Sequence, residues 1–200
     1  MKIVALGDST TAGTPLYLSP LEAPPDGRGD VRSQYAYWLM QVRPDWRVLN
    51  RGVNGERSDE IAARFDRDVL SEAPAAVVII AGVNDLYAGE AADHVQRVLR
   101  GMFDRVAQAG IPVVAGTIVP YNTATPSANA AMHEVNAWIA AETERDSNLS
   151  CADTRAAAAD PEHPDRLLTS PDGLHPDVDG YRRMAAVLAP VLASRLDKLY

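Results

Sequence analysis

Apolar positions in this chain fall into two kinds of run. The first kind is short and unbroken, as in Ile3-Val4-Ala5-Leu6 and Val77-Val78-Ile79-Ile80. A continuous apolar run of that length suits a strand covered on both faces, which favours a parallel sheet. Five strands are predicted, at Lys2 to Leu6, Arg47 to Asn50, Ala76 to Ala81, Pro112 to Ile118, and Leu149 to Ala152. The second kind repeats every three or four residues, the spacing of one helix face. Val95, Leu99, Met102 and Val106 form one such stripe, and Met132, Val135 and Ile139 another. Thr125-Pro126 supplies a cap and a first helical residue for the latter. Ile61, Phe65 and Val69 read as a further helix, and Tyr35 to Val42 as a shorter one that stops before Pro44. The last stripe runs through Tyr181, Ala185, Leu188, Leu192, Leu196 and Leu199, with Asp177 or Asp179 as its cap. Pro190 lies inside it and is expected to kink or divide it.

Strands that alternate with helices predict a three-layer α/β/α sandwich around a central, mainly parallel five-stranded sheet with right-handed crossovers. No internal repeat, low-complexity tract or long linker divides the chain, so residues 1–200 are read as a single domain. In such folds ligands bind outside the carboxyl ends of the strands.

The residues just beyond each strand are therefore informative. Gly7-Asp8-Ser9-Thr10 follows the first, Gly52-Val53-Asn54-Gly55-Glu56 the second, and Gly82-Val83-Asn84-Asp85 the third. Asp172-Gly173-Leu174-His175-Pro176 comes after the fifth, past a long loop. These are the parts that acyl transfer needs. A serine hydroxyl is a weak nucleophile unless a base takes its proton, and a neutral imidazole can do so near pH 7. Ser9 is the candidate nucleophile and His175 the candidate base. Asp172, three residues earlier, can reach the other ring nitrogen from a tight turn and fix its tautomer. The negative charge of a tetrahedral intermediate requires fixed donors. The backbone N–H of Ser9, the N–H of Gly55 and the side-chain amide of Asn84 are the candidates. Asp8 and Asp85 read as acceptors that brace their turns.

These four blocks, in this order, resemble the SGNH hydrolase superfamily, also called the GDSL-type esterase/lipase family. Gly7-Asp8-Ser9 matches its first block, Gly55 its second, Gly82-Val83-Asn84-Asp85 its third, and Asp172 to Pro176 its fifth. The resemblance implies the flavodoxin-like SGNH fold, a Ser9-His175-Asp172 triad, and an oxyanion hole from Ser9, Gly55 and Asn84. It also favours Gly55 over the nearby Gly52. It implies a serine carboxylic-ester hydrolase acting through an acyl-enzyme, with short acyl esters first. Carbohydrate O-acetyl esters, thioesters and lysophospholipids are the alternatives. Thr10 departs from the leucine of the name motif. Residues 14–34, rich in proline and glycine, are expected to lie beside Ser9 as a rim or lid.

Composition narrows the picture. The 200 residues carry 19 basic and 27 acidic side chains, a net charge of −8, which argues against a nucleic-acid partner. No apolar run approaches the roughly 18 residues of a membrane span. The apolar start is too short for a signal-peptide core, so a cytoplasmic location is expected. Cys151 stands alone, which excludes an intramolecular disulfide and a cysteine-based zinc site. No metal and no organic cofactor is expected, and the expected partner is a small-molecule ester. His94 and His133 read as surface or packing residues, and His163 as part of a solvated acidic loop. Two other function classes compete: a non-catalytic binding module on the same scaffold, and a flavodoxin-like or phosphoacceptor domain. The intact set of nucleophile, base and acid disfavours the first. The scarcity of lysine, with only Lys2 and Lys198, disfavours a phosphoacceptor.

Overall fold

The unbroken apolar runs become the buried middle layer of the computed structural model, which describes residues 1–197. Strands β1 (Lys2–Gly7), β2 (Arg47–Gly52), β3 (Ala76–Ile80), β4 (Val113–Gly116) and β5 (Leu149–Ala152) form one sheet in the order β2-β1-β3-β4-β5. Every pairing in it is parallel. Alternate residues face opposite layers, as strand geometry requires. Ile3, Ala5, Val78 and Ile80 enter one core; Val4, Leu6, Val77 and Ile79 enter the other. Each of the larger aliphatic side chains contributes about 1.5–3 kcal/mol by leaving water.

Helices cover both faces. α1 (Ser9–Ala12) and α2 (Tyr35–Val42) follow β1. α3 (Ser58–Ala63) and α4 (Phe65–Asp68) follow β2. α5 (Val83–Tyr87) and α6 (Ala92–Gln108) follow β3, and α7 (Pro126–Arg145) follows β4. α8 (Thr154–Ala158) and α9 (Val178–Leu196) complete the chain. Leu39 of α2 and Leu188 of α9 share the core of Ile3, whereas Leu99 of α6 and Val135 of α7 share that of Val4. The chain thus leaves β1 toward one face and β3 toward the other. That divergence opens a crevice at their carboxyl ends. The register aligns those ends, with Gly7 opposite both Gly52 and Ile80.

Two helical expectations need correction, and one alternative is resolved. The stripe Ile61, Phe65, Val69 is not one helix: α3 ends at Ala63 and α4 begins at Phe65, broken at Arg64. The guanidinium of Arg64 is drawn inward to backbone carbonyls, and the three apolar side chains stay buried regardless. Pro190 does not divide α9, which runs from Val178 to Leu196. Met184, Leu188, Leu192 and Leu196 are buried on both sides of the proline, so packing holds the helix together across the missing donor. Leu199 lies outside the described residues. Asp177, rather than Asp179, is the cap, its carboxylate accepting from the Gly180 N–H at 2.7 Å. Thr125 and Pro126 open α7 as expected, with the Thr125 hydroxyl accepting from the Ala128 N–H at 3.1 Å.

Two short antiparallel ribbons lie outside the sheet, Tyr17–Leu18 with Arg28–Gly29 and Ala159–Asp160 with His163–Leu167. Among the described residues no helix is long and apolar enough to cross a membrane.

Candidate active site

The first turn after β1 is built by a cap. Asp8 accepts from the Thr10 N–H at 2.9 Å and starts α1, with Ser9 as its first residue. First-turn amides of a helix have no partner within it. Among the described residues, the Ser9 N–H has no acceptor and is left as a donor. Gly13 closes the helix at φ +106°, a conformation that suits glycine.

The second turn separates the two glycines. Gly52 donates its N–H to Asn50 Oδ1 at 2.9 Å, and an added Cβ would lie 2.1 Å from the Ala12 nitrogen. It is there so that α1 can approach β2. Gly55 sits at the exposed tip of the turn with φ +80°, and a Cβ added there would meet nothing within 4 Å. Its N–H has no acceptor among the described residues. The third turn meets the second: Asn84 donates from Nδ2 to the Glu56 carbonyl at 2.8 Å, and its second N–H has no acceptor among the described residues. Asp85, wholly buried, accepts from the Ser58 N–H and hydroxyl at 2.9 and 2.6 Å. It joins α5 to the start of α3, as a bracing acceptor should.

The fifth-strand loop folds on itself. Asp172 accepts from the N–H groups of Leu174 and His175 through Oδ1, each at 2.9 Å, and lies 2.7 Å from His175 Nδ1 through Oδ2. With the Nδ1 proton directed at the carboxylate, Nε2 is left as the acceptor. Partial burial pushes the Asp172 carboxyl up, but bonds from the imidazole and from two backbone amides outweigh it and hold the group below its usual range. The Ser170 hydroxyl donates to the His175 carbonyl at 2.6 Å, and the Asn122 N–H donates to the Gly173 carbonyl at 2.7 Å.

Ser9, Asn84 and His175 line one cleft of about 200 Å³, together with Thr10, Asn54, Val83, Tyr87, Val119, Tyr121 and Leu174. That is smaller than the pockets that enclose drug-sized ligands and leaves room for a short acyl group. Residues 14–34 contribute nothing to its lining, so the expected rim or lid beside Ser9 is not what this segment makes. The segment packs instead on the far side of the Asn54 turn, where Ser19 donates to the Gly52 carbonyl at 2.6 Å.

Sequence reasoning missed several of these residues. Val119 and Tyr121 follow β4 at the same sheet edge, so the rule that selected the other turns would have found them. Tyr87 is three residues beyond Asn84 on α5, hence on its face. The residue is 65% exposed, and its ring leans on Tyr121 with centroids 5.6 Å apart. Arg64 had no visible signal. It is buried and donates to the Gly7 carbonyl at 2.9 Å, the Arg51 carbonyl at 2.8 Å, Glu56 at 2.6 Å and Asp68 at 2.8 Å. One guanidinium thus ties the ends of β1 and β2 to the Glu56 turn.

Burial raises the Asp8 carboxyl to about 7, partly offset by the Thr10 bonds. In the unfolded chain an aspartate titrates near about 3.9. Between these values the folded state holds a proton that the unfolded state has lost, so this group makes stability fall as pH rises from about 4 to about 7. Asn at this position keeps an acceptor for Thr10 and cannot ionise. Asp8→Asn should therefore flatten the decline in Tm across that window and give the more stable protein at pH 8, as thermal unfolding at a series of pH values would record. A variant with the wild-type slope would contradict this.

The other histidines lie elsewhere. His94 Nε2 is 3.8 Å from Asp85 Oδ1, and exposed His133 is 2.7 Å from Asp165. His163 is exposed beside Asp160 at 3.2 Å. Burial pushes the Cys151 thiol up to about 11, which leaves it unreactive at neutral pH. Among the described residues no three His, Cys, Asp or Glu side chains are grouped to hold a metal.

Comparison with known proteins identifies the family and the fold. The sequence profile of the GDSL-like Lipase/Acylhydrolase family matches residues 5–183. No curated protein matches the chain at a significant level. Among solved structures, a member of the lipolytic protein G-D-S-L family from Veillonella parvula superposes with a TM-score of 0.78 at 17% identity, covering 96% of this chain and 98% of that one. A GDSL-like lipase from Bacteroides thetaiotaomicron gives 0.76 at 20% identity, covering 100% and 89%. A variant of an acetyl-xylooligosaccharide esterase from Geobacillus stearmophilus gives 0.68 at 23% identity, covering 98% and 93%. At these identities the likeness speaks for the fold.

Proposed function

Given that the chain belongs to the GDSL-like lipase/acylhydrolase family, we propose that it is a serine carboxylic-ester hydrolase for small esters, with residues 1–200 as one catalytic domain. Ser9 Oγ attacks the ester carbonyl carbon while its proton passes to His175 Nε2. Asp172 orients the imidazole and stabilises the imidazolium. The tetrahedral oxyanion is held by the N–H groups of Ser9 and Gly55 and by the free N–H of Asn84. The C–O bond then breaks, the alcohol leaves with the proton from His175, and an acyl group remains on Ser9. Water attacks that acyl-enzyme with His175 again taking the proton, and the second collapse returns Ser9 and releases the acid.

The observation that carries this reading is the 2.7 Å contact of Asp172 with His175 Nδ1, at a cleft that Ser9 and Asn84 share. Its test is a series of p-nitrophenyl esters of increasing chain length. Turnover should be highest for acetyl and butyryl and fall for long chains. Absence of hydrolysis across the whole series would count against an esterase.

A second reading rests on Tyr87. An exposed aromatic ring at the rim of a cleft can stack against a flat or ring-bearing alcohol. This supports an O-acetylated sugar as substrate, beside the acetyl-xylooligosaccharide esterase among the structural neighbours. Acetate release from an acetylated oligosaccharide, set against p-nitrophenyl acetate, separates the two.

A further inference from the structure

We propose that Glu22, in the strap formed by residues 14–34, is a positioning residue for the Gly55 N–H. The inference rests on the reading of that N–H as an oxyanion donor. The turn that carries it is weakly built. Its internal bond, from the Glu56 N–H to the Val53 carbonyl, is 3.5 Å long, and a Cβ built at Gly55 would meet nothing within 4 Å. Glycine tolerates both signs of φ, so the Asn54–Gly55 peptide has no local bar to flipping, and a flip reverses the N–H direction on which the oxyanion reading depends.

Anchors on either side oppose this. On the sheet side, the Val53 N–H donates to the Gly7 carbonyl at 3.2 Å; beyond the tip, Asn84 and Arg64 hold Glu56. Between those anchors, the Asn54 N–H donates to Glu22 Oε1 at 3.0 Å. Glu22 is itself fixed. Its Oε2 accepts from the Ser19 N–H at 2.9 Å, and its own N–H donates to the Ser19 carbonyl at 3.0 Å. Ser19 is fully buried, and its hydroxyl docks the strap on the Gly52 carbonyl. The strap therefore works from behind the turn, holding the peptide next to the tip while staying out of the cleft. A carboxylate is the right group there, because both oxygens face N–H donors.

The test compares wild type, Glu22→Ala and Tyr17→Phe on p-nitrophenyl acetate, with Ser9→Ala as the inactive reference. Loss of an oxyanion donor costs about 10²- to 10³-fold in kcat, and a donor that is present but misdirected part of the time costs less. Glu22→Ala should lower kcat about tenfold with KM changed less than about twofold, the pattern of a lost transition-state interaction. Its Asn54 amide should exchange with solvent faster than in wild type. Tyr17→Phe removes a strap hydrogen bond, from the Tyr17 hydroxyl to the Asp26 carbonyl at 2.7 Å, that touches neither Glu22 nor Asn54; it should lower Tm yet keep kcat within about twofold. If Glu22→Ala does not fold, Glu22→Gln has the same size but only one oxygen for two N–H groups, and the same loss of kcat is expected. Wild-type kcat in the Glu22 variant overturns the proposal, and so does an equal loss of kcat in the Glu22 and Tyr17 variants. If Ser9→Ala is active, the esterase reading falls, and this inference with it.

Discussion

Ser9→Ala should reduce kcat for p-nitrophenyl acetate by about 10⁴-fold or more, with the fold unchanged. The size follows from what is removed. Without the hydroxyl no acyl-enzyme forms, His175 has no proton to take, and only binding and the oxyanion donors remain to assist water. The change is also structurally mild. The Ser9 N–H stays in place with alanine, and so does the carbonyl that accepts from the Gly13 N–H at 2.9 Å. A normal Tm and near-ultraviolet spectrum should accompany the lost turnover. A Ser9→Ala protein that retained even a tenth of wild-type kcat would show that the nucleophile lies elsewhere.

Asn84→Ala is the second large effect, a loss of about 10²- to 10³-fold in kcat with a small change in KM. The value belongs at the upper end of that range because Asn84 does two things. It lines the cleft with one N–H that has no acceptor among the described residues, and its other N–H holds the Glu56 carbonyl at 2.8 Å. Alanine removes a donor and slackens the turn that carries Gly55. Asn84→Asp tests the same point by charge, since a carboxylate there faces the developing oxyanion and cannot donate. It should be no better than alanine. Steady-state kinetics on both variants, at matched Tm, would decide the matter; an Asn84→Ala enzyme within threefold of wild type would mean that the donors lie elsewhere.

The fold was legible because both sheet faces are buried. Runs such as Val77 to Ile80 have no polar alternation, and only a covered strand accommodates that. The turns were legible for a related reason: strands that end in register, Gly7 beside Gly52 and Ile80, deliver their next residues to one edge. The partnership of Asp172 with His175 was readable from a spacing of three, because a tight turn is a local matter. Arg64 was not readable. An arginine in an amphipathic stretch normally belongs to a solvated face, and its burial depends on the Gly7 and Arg51 carbonyls, supplied by two strands distant in the chain. The same arginine explains why the expected helix through Phe65 is broken. The strap failed for a similar reason. Its prolines and glycines announce a loop, but composition carries no information about where a loop docks. That is decided by Ser19 meeting Gly52 and Glu22 meeting Asn54.

The central claim is that groups from opposite ends of the chain act on one ester carbonyl, with Ser9 taking the acyl group. Mixing the protein with p-nitrophenyl acetate, quenching in acid within the first turnover and mapping the digest by mass spectrometry tests it directly. A burst of about one p-nitrophenol per chain, with one acetyl group on the peptide that contains Ser9 and none in the Ser9→Ala protein, is the predicted result. Steady hydrolysis with no acetyl on that peptide, or with the label on another residue, would contradict it.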